Sequence, residues 1–113
     1  MPRDDHLEAA REMYRAFAAG DRATVERLLG DDFTFSSPPD ATLDRAGYFE
    51  RCWPGAGRGQ SFDFVRLLSA GQEVIVTYEM TDREGRRGRN TEVLTFSGEQ
   101  ICRAEVYFGW NVE

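Results

Sequence analysis

The chain is short and acidic: it has 113 residues, 41% of them hydrophobic, and a net charge of −6. This length predicts one domain, residues 1–113, that is large enough to bury a hydrophobic core. The negative charge argues against binding to a nucleic-acid backbone. No run approaches the roughly 18 apolar residues of a membrane span, and the first ten residues hold no apolar segment, which disfavours membrane insertion and secretion.

The residue types narrow the chemistry further. All 14 basic residues are arginine, which excludes lysine Schiff-base chemistry. The single histidine, His6, excludes most imidazole zinc sites and any catalytic triad in which His6 takes no part. Cys52 and Cys102 lack the spacing of metal ligands, so we interpret them as reduced thiols of a cytoplasmic protein. We therefore expect neither a metal nor a cofactor.

The first half of the chain is predicted to be mainly helical. A first helix opens at Asp4–Asp5, whose carboxylates suit the positive end of a helix, and its apolar stripe runs to Ala19. Asp21 caps a second helix, and Asp44 caps a third over residues 45–53. These helices alone would form only one layer of a domain.

Strands are predicted for most of the remaining chain. A short strand ends at Pro38–Pro39, because tandem prolines cannot continue a hydrogen-bonded ladder, and Asp40–Leu43 is predicted to be a loop. Period-two alternation then predicts four longer strands joined by hairpins. The five strands cover residues 33–37, 61–69, 73–81, 90–96 and 100–108. Helices followed by strands indicate an α+β domain with the helices on one face of the sheet.

Alternation also predicts which side chains share a face. In the strand that begins at residue 61, Phe62 and Phe64 face one side and Leu67 the other. In the last strand, Ala104 lies on the face opposite to Ile101.

Glu92 breaks the apolar pattern of its strand. It shares a face with Leu94 and Phe96, where a carboxylate is unfavourable unless it has a partner or a task. One hypothesis is a desolvated acid–base group with a raised pKa. The alternative is a structural ion pair with an arginine near the pocket mouth. The arginines considered for that pair are Arg51, Arg66 and Arg89.

Several sequence stretches resemble the nuclear-transport-factor-two-like superfamily, which includes SnoaL-like cyclases and ketosteroid isomerases. They are FAAGD (17–21), LLGDDFTFSSP (28–38), LDRAGYFERCWP (43–54), RNTEVLTFSG (89–98) and VYFG (106–109). The resemblance implies a cone-shaped fold, a cystatin-like α+β barrel. Three helices would pack in a strongly curved, mixed but mainly antiparallel sheet around an apolar pocket. It also implies a homodimer through the outer sheet face.

The resemblance also locates the isomerase site on this chain. The family's general base falls on Ser37, which has no accessible base function, so the isomerase reaction itself is disfavoured. The protonated oxyanion-hole acid falls on Glu92. The tyrosine donor falls on Met13, with Tyr14 one position along. The carboxyl group is therefore retained in kind, the base is lost and the phenol is displaced.

The candidate site combines these positions with the predicted concave face. Glu92 is the candidate acid–base residue, assisted by Tyr14 or Tyr78, although either phenol also suits a core position. Ser37 is equally a ligand contact or a strand terminator. Trp53 and Trp110 are each expected to end an element where the cone opens. The candidate ligand-binding residues are Met13, Phe17, Phe35, Ser37, Phe49, Trp53, Phe64, Met80, Leu94, Val106, Phe108 and Trp110.

Three functions are compatible with these features. The first is a cofactor-independent isomerase, cyclase or hydrolase that acts on a hydrophobic, cyclic or carbonyl-bearing molecule through Glu92. The second is a non-catalytic ligand-binding or dimerisation module in which Glu92 forms an ion pair. The third is an adaptor for a protein partner, which requires an exposed apolar patch. No nucleic acid or membrane partner is expected.

Overall fold

The computed structural model describes residues 3–112 of the chain. Within these residues, two helices are followed by a strand hairpin, a third helix with a 3-10 turn at Trp53–Gly55, and four longer strands. The helices are α1 (Arg3–Ala19), α2 (Arg22–Leu28) and α3 (Arg45–Arg51). The strands are β1 (Leu29–Ser37), β2 (Asp40–Asp44), β3 (Ser61–Ala70), β4 (Glu73–Thr81), β5 (Arg87–Ser97) and β6 (Gln100–Val112).

The six strands form one curved, mixed sheet in the order β2-β1-β6-β5-β4-β3. Only β1 and β6 run parallel, and every other pair is antiparallel. Because β2 and β3 are both edge strands, the sheet is open and does not close into a barrel. The helices pack against it, α1 mainly on β3 and α3 on β1. The predicted α+β class and mainly antiparallel sheet are confirmed.

The helix starts follow the predicted caps. The Thr24 amide donates to Asp21 at 3.2 Å, and the Gly47 amide donates to Asp44 at 2.7 Å. These bonds satisfy amide groups that a helix start leaves open. For α1, which begins at Arg3, the Asp4 side chain lies outside the described residues.

The prediction that Asp40–Leu43 is a loop is wrong. These residues belong to β2, which pairs antiparallel with β1 so that Leu43 faces Phe35. The two prolines, Pro38 and Pro39, form the turn of this hairpin. Proline ends a ladder but fits a turn, so the same residues that terminate β1 reverse the chain. The short, polar edge strand lacks the apolar alternation that would have revealed it.

Two bulges change which side chains face inwards. In β3 the register shifts between Phe64 and Arg66, so Leu67 joins Phe64 on the concave face. The register shift between β5 and β6 likewise turns Ile101 to the concave face, where it pairs with Phe96 and is 1% exposed. Both residues had been predicted on the opposite face. An extra residue in one strand reverses the alternation beyond it.

His6 joins the first turn of α1 to the turn between β5 and β6. Its ring stacks on Phe96 with 4.2 Å between centroids, and Nε2 donates to the Gly98 carbonyl oxygen at 2.9 Å. The histidine is buried, and Nδ1 has no partner among the described residues. This contact fixes one end of α1 against the sheet.

Candidate functional site

A cavity of ≈ 210 Å³ lies between the helices and the concave face of the sheet. Its wall is almost entirely apolar and is supplied by α1, α3 and every strand except β2. Eight predicted site residues line it: Met13, Tyr14, Phe17, Phe35, Tyr78, Met80, Glu92 and Leu94. Seven further residues complete the wall: Leu29, Phe33, Tyr48, Cys52, Phe62, Ile101 and Ala104.

Three predicted ligand contacts lie behind this wall or at its border. Phe49 packs edge-on against Tyr48, and Trp53 packs edge-on against Phe17 with 5.7 Å between centroids. Phe64 contacts the Tyr14 ring in the same way and is 38% exposed. These aromatic residues support the side chains that line the cavity, because each packs against a lining residue from outside the wall.

Four other predicted contacts do not line the cavity. Ser37 and Val106 border a shallow groove beside the β1–β2 turn. Phe108 and Trp110 are 60% and 65% exposed. The expectation that Trp110 ends its strand at the mouth of the cone is wrong, because β6 continues to Val112.

Glu92 takes part in a chain of hydrogen bonds that starts at the backbone. The Gly109 amide donates to Asn90 Oδ1 at 3.2 Å, which leaves the Asn90 amide group to donate to the Tyr78 hydroxyl at 3.4 Å. The Tyr78 hydroxyl then donates to Glu92 Oε2 at 2.9 Å. This order fixes the orientation of the phenol towards the carboxylate.

Glycine is required at residue 109 for this arrangement. A Cβ at this position would lie 2.2 Å from the Arg89 carbonyl oxygen, well inside van der Waals contact. The register between β5 and β6 is irregular here, between Gly88 and Asn90. The close backbone approach brings the Gly109 amide within reach of the Asn90 side chain.

Tyr14 presents a second phenol next to Glu92. Its side chain is 6% exposed, and its ring lies 5.3 Å from Tyr78 and 5.4 Å from Phe62, between centroids. The Tyr14 hydroxyl makes no hydrogen bond of standard geometry within the described part of the chain, but it lies close enough to the Glu92 carboxyl to lower the pKa of that group. The cavity therefore contains a second buried donor beside Glu92.

The electrostatics of the site follow from burial. Burial raises the pKa of the Glu92 carboxyl above its ordinary value, and the neighbouring phenols of Tyr78 and Tyr14 oppose part of this rise. Burial first, and the Glu92 charge second, raise the pKa values of Tyr14, Tyr48 and Tyr78. The phenols thus remain neutral donors at physiological pH, while Glu92 titrates closer to neutrality than an exposed glutamate.

The ion-pair hypothesis for Glu92 is not supported. Over residues 3–112, no arginine forms a salt bridge with this carboxylate. Arg51 instead pairs with Asp40 at 2.8 Å, and Arg89 pairs with Glu79 on the outer face of the sheet. Among the described residues, Glu92 therefore has no cationic partner.

Asn90 and Cys52 are site residues that the sequence did not reveal. Asn90 is only the first residue of the predicted strand, and its role depends on a bulge with Gly109. Cys52 follows α3 as its C-terminal cap and borders the cavity, where burial raises the pKa of its thiol. It is therefore a neutral wall residue. In the described part of the chain, no three His, Cys, Asp or Glu side chains cluster to form a metal site.

Comparisons with known proteins agree on the architecture. A family model described as a SnoaL-like domain matches residues 10–104. No curated protein matches the sequence. Within residues 3–112, no helix has both the length and the apolar character needed to cross a membrane.

Several solved structures share the fold. A protein assigned as a ketosteroid isomerase from Kribbella flavida is 18% identical, with 97% of this chain and 82% of that chain covered and a TM-score of 0.82. An NTF-2 like protein of unknown function from Burkholderia xenovorans is 19% identical (98% and 88% covered, TM-score 0.78). An LEH-like epoxide hydrolase from M. tuberculosis is 19% identical (94% and 84%, TM-score 0.75). At this identity the likeness concerns the fold alone.

Proposed function

Because the chain belongs to the SnoaL-like domain family, we propose that it is a cofactor-independent enzyme that moves a proton on a small hydrophobic carbonyl compound. The observation that carries the proposal is Glu92, a carboxyl group without a cationic partner in an apolar cavity, beside the buried hydroxyl of Tyr14. The structural relatives include a protein assigned as an isomerase and an epoxide hydrolase, so proton-transfer chemistry is consistent with this fold.

Each residue has a defined task in this mechanism. Ionised Glu92 takes a proton from the carbon next to the carbonyl group, so the C–H bond breaks and an O–H bond forms on the carboxyl group. The electron pair moves onto the carbonyl oxygen, and the Tyr14 hydroxyl stabilises the resulting enolate by donating to it. Glu92 then returns the proton to a different carbon, which completes an isomerisation. Tyr78 orients Glu92 throughout by donating to its carboxylate.

The isomerisation of cyclohex-3-en-1-one to cyclohex-2-en-1-one tests this mechanism. The conjugated product absorbs in the ultraviolet, so its appearance measures the rate directly. We expect Glu92→Gln to lower kcat at least about 100-fold, the usual effect of removing a general base. Glu73→Gln, a substitution on β4 outside the cavity, is the matched control and should retain the wild-type rate. Equal rates for Glu92→Gln and wild type would refute the acid–base role.

We also propose that two copies associate through the outer sheet face. Leu68, Tyr107 and Trp110 are 55%, 56% and 65% exposed. Tyr107 and Trp110 border one shallow groove on this face together with Thr77 and Thr91. Exposed apolar groups gathered on one sheet face are typical of an interface, and a second copy offers the matching surface.

The location in the cell remains a prediction. Cys52 and Cys102 are both free thiols. Free thiols favour a reducing compartment such as the cytoplasm.

A further inference from the structure

We propose that the cavity selects a neutral compound of one ring that presents a carbonyl oxygen. This inference rests on the proposed function in taking the same cavity as the site. It goes further in naming the size and the charge of the ligand. Four observations support this inference: the volume of the cavity, the charges on its wall, the hydroxyl of Tyr14 and the access to the cavity.

The volume limits the ligand to a single ring. The cavity holds ≈ 210 Å³, compared with about 150 Å³ for an apolar cavity that binds benzene in another protein. Pockets that accept drug-sized molecules begin at about 300 Å³. Leu29, Phe33 and Ile101 in the wall are each 1% exposed, so the wall is held by packing on its far side. A fused four-ring skeleton therefore does not fit.

The wall excludes anionic ligands. Among the described residues that line it, none is arginine or histidine, and Glu92 is the single carboxylate. The guanidinium groups of Arg22 and Arg45 lie over the ring of Phe49, which is not part of the wall. A carboxylate or phosphate in the cavity would lose its hydration, gain no cationic partner and face Glu92. Such a ligand is strongly disfavoured.

The Tyr14 hydroxyl favours a ligand that accepts a hydrogen bond. This group is buried, borders the cavity beside Glu92 and makes no hydrogen bond of standard geometry with a described residue. A buried donor without an acceptor is unfavourable, and a carbonyl oxygen would satisfy it. An ammonium group is attracted to ionised Glu92, but it loses its hydration in this apolar cavity and offers no acceptor to the Tyr14 hydroxyl. A hydrocarbon without oxygen leaves it equally unpaired.

The ligand reaches the cavity from an adjoining groove. Phe17 and Met80 border both spaces, and the groove side is polar, with Arg58, Asp82 and Arg83. The flexible thioether side chain of Met80 can move aside at low energy. A compact neutral molecule can pass between these two side chains without carrying a charge into the cavity.

The selectivity is tested by titrating the wild-type protein with five probes. Binding of each probe is measured from amide chemical shifts in NMR spectra. Cyclohex-2-en-1-one should shift the amides of Tyr78 and Leu94 saturably. Toluene, which lacks the acceptor, should bind about tenfold more weakly, the loss expected for one hydrogen bond. Cyclohexanecarboxylate, cyclohexylammonium and progesterone should give no saturable shift at these amides. Binding of any of these three as tight as that of cyclohexenone, or no saturable shift with cyclohexenone, would overturn the inference.

Tyr14→Phe provides the matched variant. It should weaken cyclohexenone about tenfold and leave toluene unchanged, because only cyclohexenone uses the hydroxyl. Equal weakening of both probes would indicate a general loss of packing and contradict the inference. The outcomes also separate the two proposals. Selective cyclohexenone binding without turnover refutes the proposed chemistry and supports the selectivity. Turnover that depends on Glu92 but occurs only with polycyclic ketones supports the proposed chemistry and refutes the selectivity.

Discussion

The Tyr78 hydroxyl reaches Glu92 diagonally across the β4–β5 pair, with 2.9 Å between the two oxygen atoms. In the register of the sheet, Tyr78 faces Asn90, and Glu92 faces Val76. Diagonal neighbours on one face are within reach of long aromatic side chains. The bond therefore crosses two ladder positions and places the phenol beneath the carboxylate, while Asn90 holds the phenol from the other side.

Removal of the Tyr78 hydroxyl and removal of the Tyr14 hydroxyl should affect the free energy of unfolding differently. Tyr78→Phe deletes the donor to a buried carboxylate and should lower the free energy of unfolding by about 1–3 kcal/mol. Tyr14→Phe deletes a buried hydroxyl that makes no hydrogen bond of standard geometry with a described residue, so the free energy of unfolding should stay the same or rise slightly. Urea unfolding of both variants measures the difference. A loss in Tyr14→Phe as large as that in Tyr78→Phe would indicate that Tyr14 is bonded in the folded protein.

Glu92→Gln should stabilise the protein at neutral pH but not in acid. The pKa of Glu92 in the folded protein is raised above its ordinary value of 4.5. Its contribution to stability is therefore fully present below about pH 4.5 and is lost as pH rises through the folded pKa. Glutamine does not titrate. The variant should gain stability relative to wild type over this window, by about 1.4 kcal/mol for each unit by which the pKa is raised.

The measurement is a series of thermal or urea unfolding curves for both proteins from pH 4 to pH 8. Glu73→Gln, outside the cavity, should follow the wild-type profile. Parallel profiles of wild type and Glu92→Gln would mean that the folded Glu92 titrates as it does in the unfolded chain.

Gly109→Ala should disturb the site from a distance. The new methyl group would lie 2.2 Å from the Arg89 carbonyl oxygen, so the backbone of β5 or β6 must move. Overpacking of this kind lowers the free energy of unfolding by about 1–3 kcal/mol. The movement should also loosen Asn90 from Tyr78, which a change in the Tyr78 ring signals in NMR spectra would report.

Gly88→Ala is the matched control for this substitution. A Cβ at residue 88 meets no atom within 4 Å. Its stability should stay close to that of wild type, with the Tyr78 signals unchanged. If Gly109→Ala left both the stability and these signals unchanged, the close approach would have no part in orienting Asn90.

A charge on the outer sheet face should separate the proposed dimer. Tyr107→Glu places a carboxylate in the exposed apolar region, which two copies cannot bury together without a large penalty. Sedimentation should give twice 12.9 kDa for the wild type and 12.9 kDa for the variant. Ala41→Glu, which adds the same charge on the exposed edge strand β2, should remain dimeric. A monomeric wild type would refute the interface.

Much of the fold could be predicted because its strongest elements carry regular patterns. The β4 boundaries, Glu73 and Thr81, were predicted to the residue, since its alternation is uninterrupted. The family resemblance and the α+β class are also confirmed. The errors concern bulges and the short edge strand. The face of Ile101 depends on a register shift between β6 and its partner strand β5. The periodicity of one strand alone cannot predict such a shift.

The candidate site could be predicted only where a residue departs from its pattern. Glu92 was recognised because a carboxylate stood among apolar neighbours, and the structure places it on the cavity wall. Asn90 gave no such signal, since asparagine at a strand start is ordinary. Trp110 was misplaced because the length of β6 depends on pairing with β5 far beyond the apolar alternation.

The contact between His6 and Gly98 joins residues that are 92 positions apart. Helix α1, which carries Tyr14, is therefore synthesised well before the turn that holds it. Until that turn is available, the apolar stripe of α1 lacks this part of its packing surface. Contacts of such long sequence separation slow folding, because the loop between them must close before they form. We therefore expect the cavity to form late in folding, after α1 has docked on the β5–β6 turn.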